Sequence, residues 1–141
     1  MKLEDQVCGL ELAKKLKDFG MKQESLFYWF EHKHRGKYPE HENDFALSDQ
    51  ADDNYYPTGE EEYWYRYSAF TVAELGLLLP AYCYTRTAPE HADKRWLCAK
   101  IEESKDDSFP DTMSYWELAE TEADARAKML IYLIEQGIIK P

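Results

Sequence analysis

A chain of 141 residues suits one domain, able to bury about two-thirds of its unfolded surface without metals or disulfides. Its formal net charge of -11 repels phosphate backbones, which argues against duplex-DNA binding and favours solubility or basic partners. The three cysteines, Cys8, Cys83 and Cys98, are odd in number and form no CxxC pair, so they read as free buried thiols of a reducing cytoplasm rather than a disulfide framework.

The opening stretch MKLEDQVCGLEL carries early acids and no signal-like apolar run, and no apolar run in the chain approaches a membrane span. The expectation is a soluble cytoplasmic protein with no membrane partner. From Glu4 to Phe19, Val7, Leu10, Leu12, Ala13, Leu16 and Phe19 recur at helical spacing, with Gly20 as a stop, which predicts an amphipathic helix. Lys14, Lys15 and Lys17 lie near its C-terminal end, where they complement the dipole as a solvated face. The aromatic run that follows predicts a strand over about 26–34. Residues 36–62 lose periodicity and carry many acids with Pro39, Pro57 and Gly59, the pattern of a long acidic loop or insertion.

EEEYWYRYS predicts a second strand over about 62–68. Period-two alternation sends Tyr63, Tyr65 and Tyr67 to one face, suited to packing under helices, and Glu62, Trp64, Arg66 and Ser68 to the other. Thr71 with Glu74 three residues later is a capping box. It starts a short helix that runs to Leu79 and ends at Pro80. AYCYTRT (81–87) and RWLCAKI (95–101) read as two further strands, able to form a hairpin.

After the acidic loop SKDDSFPD, TEADARAKMLIYLIEQG gives the strongest helical signal. Thr121 is its N-cap, Glu122 and Asp124 lie at the positive end, and Gly137 is the stop. Ala123, Ala127, Leu130, Ile131 and Ile134 form a core stripe that Met129 and Leu133 widen. The predicted fold is α+β: a mainly antiparallel sheet of about four strands with the N- and C-terminal helices packed on one face.

Three segments, CGLELAKKLKDFGMKQESLFYW, YSAFTVAELGLLLP and TEADARAKMLIYLIEQGII, together resemble a widespread set of small uncharacterised bacteriophage and prophage proteins. The resemblance covers about half the chain, leaves out 36–62 and 81–115, and brings no catalytic residues. It implies a phage or prophage context, hence an accessory protein acting inside a bacterial host cell.

Chemistry-bearing motifs are weak. His32, His34 and His41 are close in sequence, but a metal site needs three or four converging donors and no further set accompanies them. Asp49, Asp52 and Asp53 lack the glycine and terminal glutamate of a calcium-binding loop. Cys83 and Cys98 alternate with large apolar residues, so packing outweighs nucleophilic roles. The scattered glycines make no phosphate-binding loop. No catalytic residue, metal or cofactor is therefore expected. A helix-turn-helix look in LELAKKLKDFGMKQESLFYW is countered by its aromatic second half and the overall charge.

Two binding readings remain. In one, acidic segments at 40–62 and 102–111 form an interaction surface for a basic host protein, interfering with host defence. The competing plain reading is that these acids only keep the chain soluble. In the other, a small anionic, nucleotide-type ligand is held by stacking rings and cations, with Trp64, Arg66, Arg86, Trp96 and Lys100 as candidates. Packing of rings within strands competes with that role. A sheet with rings on both faces also leaves an aromatic face for self-association.

Overall fold

The computed structural model describes residues 2–32, 45–49, 64–91, 95–108 and 110–141; the side chains of His32 and Trp64 lie outside that description. Its order is a 3-10 turn (Leu3–Asp5), α1 (Leu10–Asp18), β1 (Tyr28–His32), β2 (Phe45–Ser48), β3 (Trp64–Ser68), α2 (Val72–Leu78), β4 (Cys83–Thr87), β5 (Trp96–Glu102), β6 (Thr112–Ala119) and α3 (Glu122–Glu135). The class is α+β. Among the described residues the strands form two antiparallel three-stranded sheets, ordered β2-β1-β3 and β4-β5-β6. The expected strand pairing is present, divided between two sheets rather than gathered in one.

α1 starts later than the apolar spacing suggested. Residues 6–8 are drawn into extended pairing instead: Cys8 N–H donates to Phe70 O, Val72 N–H donates to Gln6 O, and Val7 bridges Thr71. The N-terminus of α1 lacks a side-chain cap of its own. Asp124 of α3 supplies one, accepting from Gly9 N–H at 2.7 Å. Burial pushes the Asp124 carboxyl above its ordinary value despite that bond. At its other end α1 closes at Gly20, whose φ of 88° is the left-handed geometry that favours glycine.

α2 begins as its capping box predicts. Thr71 Oγ1 accepts from Glu74 N–H, and Glu74 accepts from Thr71 N–H at 2.7 Å. The same carboxylate takes the Ser25 hydroxyl and the Leu26 N–H, both at 3.0 Å. One side chain thus starts the helix and clamps the segment leading into β1.

α3 packs on the β4-β5-β6 sheet on one side and against α1 and α2 on the other. Ala123, Ala127, Leu130 and Ile131 join α1, Trp29, Phe70 and Leu75 in one core cluster. Ala125, Met129 and Leu133 join Cys98 and Ala119 in another. A helix buried on two sides is what the widened apolar stripe becomes when one side covers a sheet and the other packs on two helices. The predicted Thr121 cap forms, accepting from Asp124 N–H at 3.1 Å, and Gly137 adopts a φ of 69°. No helix among the described residues is long and apolar enough to cross a membrane.

Most of the expected acidic loop, with His34, His41, Asp52, Asp53, Glu62 and Tyr63, lies outside the described residues. Within its bounds, Phe45–Ser48 pairs with β1 as a strand.

Candidate interaction face

The β4-β5-β6 sheet has an inner and an outer face, set by register. Cys83, Thr85 and Thr87 align with Lys100, Cys98 and Trp96, which align in turn with Tyr115, Glu117 and Ala119. This face turns toward α3. Cys98 and Ala119 are buried against Met129 and Leu133, with Trp96 and Tyr115 packed on them. Tyr115 stacks on Tyr132 of α3 with ring centroids 3.5 Å apart. Thr85 shares Glu122 and Arg126 in a tight polar cluster: its hydroxyl donates to Glu122 Oε1 at 2.7 Å and accepts from Arg126 Nη2 at 2.9 Å. Arg126 Nη2 also donates to Glu122 Oε1 at 2.7 Å.

The outer face carries the alternate residues. Tyr84, Ala99 and Trp116 form one cross-strand row, and Arg86, Leu97 and Leu118 form the next. A third row comes from an irregularity. The register shifts between Lys100 and Ile101, so Ile101 aligns with Met113 rather than Ser114. One extra residue in β6 therefore turns Met113 to the outer side, where its sulfur accepts from the Tyr84 hydroxyl at 3.3 Å.

Large apolar side chains remain in water here. Trp116 is 51%, Met113 44% and Tyr84 36% exposed, with Tyr82 at 38% just before β4. Leu97 and Ala99 beneath them are closed off at 3% and 0%. The result is an aromatic platform over which no helix packs among the described residues.

Acids border that platform. The stretch from Glu102 to Asp111 joins β5 to β6 and holds five acids against one lysine. Some of them shape the turn: Asp111 accepts from Ser104 N–H at 3.0 Å, and Asp106 accepts from Ser108 N–H at 2.9 Å. Those Ser108 hydrogen bonds hold the Asp106 carboxyl below its usual value. Glu103 and Asp107 are exposed. At the opposite end, Arg86 pairs with Glu90 at 2.9 Å.

The sequence-predicted ligand residues are divided between the two sheets. Trp64 opens β3, and its side chain is outside the described residues. Arg66 lies mid-β3, half-buried, with its guanidinium 5.1 Å from the Tyr28 ring centroid. On the second sheet, Trp96 packs inward against the helix, Lys100 sits 3.4 Å from both Glu102 and Ser114, and Arg86 is on the outer face. The tyrosine alternation holds for the described pair: Tyr67 packs under α1 and Tyr65 stays exposed on the same face.

Trp116, Tyr84 and Met113 were missed as site residues. The signal available in TMSYWELA was its alternation, which the bulge at Ser114 interrupts.

All three cysteines are free. Burial pushes the Cys8 and Cys98 thiols up to about 12 and raises Cys83, so the nucleophilic thiolate is disfavoured at these positions. Among the described residues, no group of three or more His, Cys, Asp or Glu side chains converges on a metal-sized site. Comparison with protein-family models, curated proteins and solved structures returns no match.

Proposed function

We propose that the protein acts by binding, and that the outer face of the β4-β5-β6 sheet docks a basic protein surface. The observation that carries this reading is the exposed pair Tyr84 and Trp116, flanking buried Ala99 in one cross-strand row beside the acidic connection 102–111. Exposed Trp, Tyr and Met are the side chains enriched at interface centres, and a polar, solvent-accessible rim is their usual border. Arginine or lysine from a partner gains twice on such a surface, from the ring faces and from the carboxylates.

The phage or prophage setting rests on the sequence resemblance alone. In it, the partner is a basic host protein in the bacterial cytoplasm, and the outcome is interference with host defence without catalysis. A nucleotide-type ligand has less support, because Arg86 is matched with Glu90 and Lys100 lies beside Glu102.

The test is titration of the full chain and its Trp116→Ala and Tyr84→Ala variants with a labelled short arginine-rich peptide, followed by fluorescence anisotropy. Saturable binding is expected that weakens with salt and falls by about tenfold or more in each variant. Equal binding by parent and Trp116→Ala would overturn the assignment of the face. Saturable thermal stabilisation by nucleotides, with no response to the peptide, would replace it with the small-ligand reading.

A further inference from the structure

We infer that Lys17, Arg86 and Lys128 are edge guards, which prevent a second copy of this chain from pairing as a further strand on β3, β4 or β6. Ladder parity supplies the argument. Ala69 N–H donates to Phe27 O, so on β3 the residues aligned two apart from Ala69 bond toward β1. Arg66, at the alternate parity, points its backbone groups outward. Ala88 N–H donates to Arg95 O, and Ile101 N–H donates to Tyr82 O, which turns the backbone of Thr87 outward on β4. The same alternation carried through β5 turns that of Leu118 outward on β6.

Each of these three outward carbonyls accepts a hydrogen bond from a cation. Lys17 Nζ donates to Arg66 O at 3.0 Å, Arg86 Nη1 to Thr87 O at 2.8 Å, and Lys128 Nζ to Leu118 O at 2.9 Å. On β3 the outward Ser68 N–H is also taken, by Gln23 Oε1 at 2.8 Å. An edge strand with free N–H and C=O groups is a template for another chain, and a charged side chain placed on it is a known protection.

β6 has most need of such protection. It spans eight residues, TMSYWELA, without lysine or proline, so its guard comes from α3. The net charge of -11 opposes association at long range but is screened within about 8 Å at physiological salt. Contact-range guards are therefore required. Both edge strands of the β4-β5-β6 sheet carry such a guard, which leaves its outer face to a docking partner.

The test compares the full-length parent with Lys128→Met, the triple variant Lys17→Met, Arg86→Met, Lys128→Met, and Lys15→Met as a control for added apolar surface on α1. Sedimentation velocity in high salt measures mass against concentration. Lys128→Met should associate at about tenfold lower concentration than the parent, the loss of one charge-assisted hydrogen bond, and the triple variant lower still. The Trp116 and Leu118 amides should gain concentration-dependent protection from hydrogen exchange, and Lys128→Arg should restore parental behaviour. Parental mass in the triple variant, or equal association by Lys15→Met, would overturn the inference. Association without protection of those two amides would do the same.

Discussion

At the scale of single residues, Glu74 and Gly76 show what local pattern reveals and what it hides. The Thr71-Glu74 capping box was legible because its partners are three residues apart. The further bonds from Ser25 and Leu26, at separations of 49 and 48 residues, leave no local mark. Burial acts to raise the Glu74 carboxyl, but the Thr71 and Leu26 N–H groups and the Thr71 and Ser25 hydroxyls outweigh it and hold the carboxyl below its usual value.

For a depressed acid, the stabilisation is complete above the unfolded pKa, about 4.3 for glutamate, and is lost as pH falls through the lower folded value. Glu74→Gln should therefore cost about 1–2 kcal/mol at neutral pH. Its deficit against the parent should shrink with acidification below that range, as read by urea unfolding; a pH-independent deficit would contradict the clamp. Gly76 has a different constraint. A Cβ there would collide with Arg126 Nη1, and Arg126 is tethered by Glu122 and Thr85. Gly76→Ala should destabilise the parent yet stabilise an Arg126→Ala background, by up to about 1 kcal/mol of helix propensity. A thermodynamic cycle on the four proteins checks the sign change.

At the scale of elements, α1, α2, α3 and the β4-β5 hairpin follow from periodicity, caps and glycine stops. β6 does not, because the register shift at Lys100/Ile101 breaks the alternation that would announce a strand. Division into two sheets was equally hidden, since it depends on α3 serving two cores. Ala123, Ala127, Leu130, Ile131 and Ile134 advertised one face, whereas Met129 and Leu133 only widened it in the sequence reading.

In the folded chain Met129 and Leu130 are both fully buried, in different clusters. Met129→Ala and Leu130→Ala should each cost about 2–5 kcal/mol, as core truncations do. A simple amphipathic helix on one sheet predicts a much smaller cost at Met129, so comparable losses in denaturant unfolding would distinguish the two arrangements.

At the scale of the whole molecule, the charge balance was readable at once, while the site was not. Arg66, Arg86, Trp96 and Lys100 looked alike in sequence as cations and rings within strands. Folding sends them to different sheets and faces because alternation fixes only which residues share a face, never what covers it. What covers each face separates the two sides of the second sheet: α3 closes the Cys98-Ala119 side, and Tyr84, Met113 and Trp116 stand open on the other.

In the proposed reading, the acidic rim beside the open rings receives a basic partner. The most direct test is a nuclear magnetic resonance titration of the isotope-labelled full chain with the arginine-rich peptide, resolving which amides respond. Saturating shifts centred on Tyr84, Ala99, Met113 and Trp116, continuing into 102–108, are the predicted result. Shifts confined to α1 and the β2-β1-β3 sheet, or no saturable shift at all, would contradict it.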